Sequence, residues 1–175
     1  SRCVALTGAS GFVGRHVLPR LLSAGYRVRA LTRNPGRFQI ADPKLEAVQG
    51  DLASSQALAD LVRGADTVVH LVGIIAEVFR KGQTFERVHV EGTNNLVQAA
   101  SSASVTRWVH MSALGTRPQA VSEYHRTKWE AEQTVRRSGL TYTIFRPSII
   151  HGPDGEFMQM VKQFACRRLA GLFSW

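Results

Sequence analysis

Tyr124 and Lys128 stand four residues apart in the run Tyr124-His125-Arg126-Thr127-Lys128. On a helix that spacing sends both side chains out of one face. A free phenol titrates at about 10, too high for an efficient proton donor or acceptor near neutrality. An ammonium beside it favours the phenolate and lowers that value. Upstream, Met111-Ser112-Ala113-Leu114-Gly115 offers the Ser112 hydroxyl, which could hold a substrate oxygen next to the phenol. Together Ser112, Tyr124 and Lys128 could carry acid–base chemistry at a carbonyl or a secondary alcohol. The same Tyr-x-x-x-Lys spacing also arises on ordinary amphipathic helices, where Lys128 would be a solvated end.

A second constellation opens the chain: Val4-Ala5-Leu6-Thr7-Gly8-Ala9-Ser10-Gly11-Phe12-Val13-Gly14. A short apolar run stops at a glycine, and two more glycines follow at three-residue intervals. Gly8 can take backbone angles that a β-carbon forbids. Gly11 lets the main chain approach a pyrophosphate, and Gly14, one turn into the following helix, lets that helix pack closely on the strand. The free N–H groups and dipole of a helix N-terminus favour the negative charge. The spacing G-x-x-G-x-x-G differs from the usual G-x-G-x-x-G, but strand before and helix after make a phosphate-binding turn the expectation.

Further candidates follow the other apolar runs. A dinucleotide fold usually carries an acid about 20 residues beyond the glycines, for the ribose 2′-hydroxyl. Leu31-Thr32-Arg33-Asn34 holds none there, and Arg33 suits a 2′-phosphate. NADP(H) is therefore expected over NAD(H), with a solvated loop arginine as the alternative. Gly50-Asp51-Leu52 places a carboxylate that could accept the adenine amino group or simply make a turn. Val72-Gly73 could let backbone lie against a cofactor.

These groups need strands and helices in alternation to bring them together, and the pattern supplies it. Strands are expected at Arg2 to Leu6, Tyr26 to Thr32, Leu45 to Gln49, Thr67 to Leu71, Arg107 to Met111 and Leu140 to Phe145. Helices are expected at Gly11 to Ala24, Gln56 to Val62, Thr84 to Ser101 and Ser122 to Arg137, with a helix-like piece at Phe157 to Leu169. Such alternation implies an α/β fold with a doubly wound parallel sheet, strand order 3-2-1-4-5-6 and helices on both faces. Ligands of such sheets sit beyond the carboxyl ends of the strands.

The chain has 175 residues, 44% of them hydrophobic, which suits one domain with a real core. No apolar run approaches the roughly 20 residues that cross a bilayer, and no secretory signal opens the sequence. Two cysteines, Cys3 and Cys166, suggest a reducing compartment: bacterial cytoplasm, with an organelle matrix as the alternative. The net charge of +9 comes from arginines spread along the chain without a Lys/Arg block. A phosphate-rich cofactor accounts for that better than nucleic acid does.

In family order, Gly8-Gly11-Gly14, Gly50-Asp51-Leu52, Val90-Glu91-Gly92-Thr93-Asn94-Asn95-Leu96, Tyr124/Lys128 and Arg146-Pro147-Ser148-Ile149-Ile150-His151-Gly152-Pro153 resemble the short-chain dehydrogenase/reductase superfamily, in its extended and atypical branches. These include the NAD(P)-dependent sugar epimerases and dehydratases. Leu71-Val72-Gly73-Ile74-Ile75, Phe85-Glu86-Arg87-Val88-His89-Val90 and Val109-His110-Met111-Ser112-Ala113-Leu114-Gly115 are most similar to the subgroup of the dehydrogenase-like accessory subunit of respiratory complex I and its bacterial relatives. The resemblance implies a nicotinamide dinucleotide along Gly8, Ser10, Gly11, Phe12, Val13 and Gly14, with Asp51, Leu52, Leu71, Val72 and Gly73. It implies that Lys128, beside Tyr124, holds the nicotinamide ribose and that Pro147 and Ser148 lie near the nicotinamide. No metal is implied.

Three positions depart from the family pattern. Its helix-four asparagine is His89, its Tyr-Gly-Pro is His151-Gly152-Pro153, and one alignment puts Ala113, not Ser112, in the catalytic Ser/Thr place. Each weakens the case for sugar chemistry and none weakens cofactor binding. Residues 1–153 are thus expected to form the dinucleotide-binding domain, and 154–175 the start of a truncated or minimal substrate-binding part, the apolar ending favouring a fragment. Two functions remain open. One is an oxidoreductase or epimerase/dehydratase with a small-molecule substrate. The other is a non-catalytic nucleotide-holding accessory protein, in a homo-oligomer or a respiratory assembly.

Overall fold

The computed structural model describes residues 2–38, 40–150 and 152. His151, Pro153, Cys166 and the expected helix-like piece at Phe157 to Leu169 lie outside these residues, as does the expected substrate-binding part.

Among the described residues, six parallel strands form one sheet in the order β3-β2-β1-β4-β5-β6. They are β1 (Cys3–Thr7), β2 (Arg27–Thr32), β3 (Leu45–Gln49), β4 (Thr67–His70), β5 (Arg107–Met111) and β6 (Thr141–Phe145). Four helices cross over between them: α1 (Gly14–Ser23), α2 (Ser55–Val62), α3 (Gly92–Ser102) and α4 (Glu123–Arg137). All five residues of central β1 are buried, as a strand covered on both faces requires.

Side-chain alternation divides the core in two. Val4, Leu6, Val28 and Ala30 point to one face with Leu18 and Leu22 of α1. Ala5, Val68 and Trp108 point to the other, with Leu58 and Leu61 of α2, Leu96 of α3 and Val135 of α4. The strand order, the parallel sense and helices on both faces agree with the sequence reading.

The sequence differs from the structure mainly at two helix starts. The first helix begins at Gly14, not Gly11, because Gly8 to Val13 form the turn itself. There the Gly11 N–H donates to the Gly8 carbonyl at 3.0 Å, and Gly8 sits at φ 75°. Gly14 is thus the first helical residue, and a Cβ on it would run into the Gly8 carbonyl and the Ala9 backbone. The third helix opens as a π-helical turn, Glu86–Glu91, before α3. Such turns are inserted single residues that gather at functional sites. Here it carries buried His89, whose ring bonds replace solvent.

Candidate active site

The carboxyl ends of the strands converge as a doubly wound sheet requires. A Cβ on Gly8 would lie 2.9 Å from the Leu71 carbonyl carbon and 3.0 Å from the Val72 nitrogen. The glycine turn after β1 therefore abuts the loop after β4. A Cβ on Gly73 would in turn lie 2.9 Å from Lys128 Nζ. Lys128 Nζ donates to the Met111 carbonyl at the end of β5 over 2.9 Å. The Leu114 N–H donates to the Pro147 carbonyl at 2.8 Å, which ties the segments after β5 and β6 together. Phe12 packs on Gly152. Arg33 joins Ser10, Thr32 and Asn34 around a polar recess of about 310 Å³. Leu52 lies against Gly92, and its carbonyl accepts from Asn95 Nδ2 at 2.9 Å. Exposed Asp51 accepts the Ala53 N–H at 2.9 Å, a turn contact that leaves its second oxygen atom outward. Ser148 is exposed.

Tyr124 is half-buried on the first turn of α4, its ring edge-on to Phe85, His89 and His125 at 5.7, 5.4 and 5.1 Å between centroids. Burial pushes its phenol above 10, the opposite of the lowering expected from the spacing. The ammonium of Lys128 is directed at the Met111 carbonyl and Gly73. The lysine itself is 4% exposed. Burial lowers it to about 8, against a smaller opposing pull from Glu132.

Ser112 is 3% exposed. Its hydroxyl lies 3.4 Å from Thr116 Oγ1, at the buried end of β5. Glu132 is the hub of this interior: Arg146 grips it with Nε at 2.8 Å and Nη2 at 2.6 Å, and Arg136 reaches it at 3.4 Å. Burial raises the Glu132 carboxyl, but the bonds and charge of Arg146, with the bond from Arg136, outweigh burial and hold it below its ordinary value.

Sequence reasoning missed this clamp, although Arg146 belongs to a motif it singled out. It also missed a group of buried histidines beneath Lys128. His70 bridges Thr7 Oγ1 at 2.7 Å and Thr93 Oγ1 at 3.2 Å. Burial, then the neighbouring histidine and Lys128 charges, lowers it well below 6.5. His89 and His110 are pushed down to about 3, by burial first and by Lys128 next. All three imidazoles are neutral, so Lys128 is the cation of this pocket. The alternation of β4 and β5 would have placed His70 and His110 on the buried face. Among the described residues no group of metal-binding side chains gathers, and no helix is long and apolar enough to cross a membrane.

The cradle fits a dinucleotide. Positions 8 and 14 have no room for a Cβ, the turn presents backbone N–H groups at a helix start, and a buried cation sits at the far end beside Gly73.

The profile of the NAD(P)H-binding family matches residues 8–163. The chain is 36% identical over 165 residues to a ceramide reductase of Caulobacter vibrioides, covering 94% of this chain and 51% of that one. It is 31% identical over 150 residues to the 40 kDa subunit of mitochondrial NADH-ubiquinone oxidoreductase of Neurospora crassa, covering 83% of this chain and 40% of that one. The chain thus spans about half the length, or less, of the curated relatives it matches. Among solved structures, a dTDP-glucose 4,6-dehydratase of Streptomyces venezuelae with bound NAD is similar at a TM-score of 0.75 and 27% identity, over 98% of this chain and 63% of that one.

Proposed function

Since the chain belongs to the NAD(P)H-binding family, within the short-chain dehydrogenase/reductase superfamily, we propose that it is an NADP(H)-dependent oxidoreductase acting at a carbonyl or secondary alcohol of an apolar substrate. The observation that carries this reading is the approach of Lys128 Nζ to Gly73, 2.9 Å from where a Cβ would stand, on the helix that carries Tyr124 one turn earlier. It unites the phosphate-turn side of the cleft with an acid–base pair. When bound, the nicotinamide supplies or accepts the hydride. Gly8, Ser10, Gly11, Phe12, Val13 and Gly14 hold the pyrophosphate side. Asp51 and Leu52 flank the adenine, and Leu71, Val72, Gly73, Pro147 and Ser148 the nicotinamide half. Lys128 donates to the ribose hydroxyls. Tyr124 gives its proton to the substrate oxygen in reduction and takes it back in oxidation. A phenol held protonated by burial is ready as the donor, and Lys128 beside it stabilises the phenolate left behind.

An apolar substrate is supported by the exposed side chains of Ile75, Phe79, Leu114 and Val121 on the loops after β4 and β5, and by the ceramide reductase relative. The test is substrate-dependent NADPH oxidation with long-chain ketones set against nucleotide sugars. Turnover of the sugars alone would reject the apolar substrate.

Arg33 in its polar recess supports the choice of NADP(H). In an Arg33→Ala variant, NADPH affinity is expected to fall about 10- to 100-fold, the worth of a lost charge-assisted phosphate contact. NADH affinity should stay level. Equal losses for both nucleotides, read by fluorescence titration, would reject the assignment.

Lys128 makes binding depend on pH. A ligand that accepts bonds from the ammonium raises its pKa from about 8, so binding takes up a proton once the free lysine is neutral. NADPH affinity should be level below pH 8 and weaken as pH rises above it. In Lys128→Met the profile should be flat. Titrations on either side of pH 8 decide this, and equal slopes in both proteins would remove Lys128 from the ribose.

A further inference from the structure

His89 enters the cleft from the π-helical turn and joins the loop after β4 to the first turn of α4. Its Nε2 accepts the Ile74 N–H at 3.2 Å, in the loop after β4. That acceptor role leaves the proton of the neutral ring on Nδ1. Nδ1 donates to Thr127 Oγ1 at 2.9 Å. Thr127 in turn donates to the Glu123 or Tyr124 carbonyl, at 3.0 and 3.1 Å. Bond polarity thus runs one way, from the loop backbone through the imidazole to the first turn of α4. Phe85 stacks on the ring at 5.5 Å and 24°, and Tyr124 meets it edge-on. A Cβ on Gly73 would lie 3.7 Å from Nε2 and 2.9 Å from Lys128 Nζ, so ring, ammonium and loop backbone share one small volume.

We infer that His89 is a positioning residue: a brace that sets the distance between the Leu71–Ile74 loop and the Tyr124–Lys128 pair, and so the alignment of the acid–base pair with a bound nicotinamide. This rests on the cofactor reading above. The ring is 1% exposed and both its nitrogens are engaged, so rotation would break two bonds at once. Thr127, on the helical turn between Tyr124 and Lys128, is where the brace grips α4. Misplacing reacting groups by about 1 Å can cost on the order of 100-fold in rate. That is the scale on which losing the brace should act.

The test uses His89→Phe, which keeps the ring and its stacking and removes both bonds, and His89→Gln, whose amide can still accept from Ile74. The first readout is the NADPH dissociation rate, which needs no substrate. His89→Phe is expected to raise it about tenfold, the loss of one well-placed hydrogen bond at the loop. His89→Gln is expected to return it to within a few-fold of wild type. With substrate, His89→Phe should lower kcat by about 100-fold while KM moves far less. If His89→Phe does not fold, Thr127→Val cuts the same brace at its other end and should lower kcat likewise. An unaltered dissociation rate and kcat in a folded His89→Phe protein would overturn the brace, and so would a lower melting temperature alone. Wild-type protein that retains no NADPH would instead sink the cofactor reading.

Discussion

Replacing Tyr124 by Phe is expected to leave NADPH binding intact and to lower kcat by about 10²- to 10⁴-fold, the usual worth of a positioned proton donor. The reason lies in what the substitution removes. The Tyr124 ring packs against Phe85, His89 and His125 through its edges and faces, and a Phe ring keeps all three contacts. Only the hydroxyl goes, and burial holds that hydroxyl protonated. Fold, melting temperature and nucleotide affinity should therefore be those of wild type, while substrate-dependent NADPH oxidation collapses. The experiment pairs a nucleotide titration with initial rates on the same preparation. Turnover at the wild-type rate would take Tyr124 out of the chemistry and favour a protein that holds its nucleotide without using it.

The second large effect is on stability, and it is asymmetric. Glu132 is wholly buried, whereas the Arg146 side chain is 37% exposed. Arg146→Met strands a buried carboxylate with only Arg136 at 3.4 Å to hold it. Stranding one member of a buried pair costs about 3–5 kcal/mol. The low end applies here because that partner remains, which lowers the melting temperature by about 6–12 °C in a domain of this size. Glu132→Gln leaves a guanidinium that can turn to water, so its cost should be about 1–2 kcal/mol. Thermal unfolding of the two variants side by side reads the difference, and a larger loss in Glu132→Gln would refute the argument. Because folding lowers the Glu132 pKa, its contribution is complete above the ordinary value of 4.5 and disappears as pH falls through the folded value. Arg146→Met should accordingly lose its disadvantage in acid. The clamp also bears on the cleft, since Arg146 directly precedes Pro147 and Ser148.

Period and punctuation carried most of the fold. Apolar runs of four to six residues ending at glycine or polar turns can only be buried parallel strands when helical stretches separate them. The glycines at 8 and 14 were legible because each answers a local steric demand: a positive φ at Gly8, and no room for a side chain at Gly14. The π-helical turn was not legible. A single inserted residue leaves the apolar spacing of Thr84 to Ser101 nearly unchanged, while it rotates His89 inward. Nor was the direction of the Tyr124 shift, because spacing reports which groups are near and says nothing about how much water they lose. Ser112 is the same case. Its type and place after β5 suggested a substrate contact, and spacing said nothing of its burial, 3% exposed beside Thr116.

By itself, then, the sequence determined the order of the sheet, the phosphate-type turn and the helix that presents Tyr124 and Lys128 together. Each of these depends on residues near one another in the chain. Tertiary structure alone decided what those side chains experience. It set Lys128 against Gly73 and Met111, and strung Ile74, His89 and Thr127 into one line of hydrogen bonds. These pairings join residues 15 to 55 positions apart. Burial and donor–acceptor direction exist only once the strands have brought such residues together, and those two quantities set the charge of a lysine, the proton of a phenol and the tautomer of a histidine.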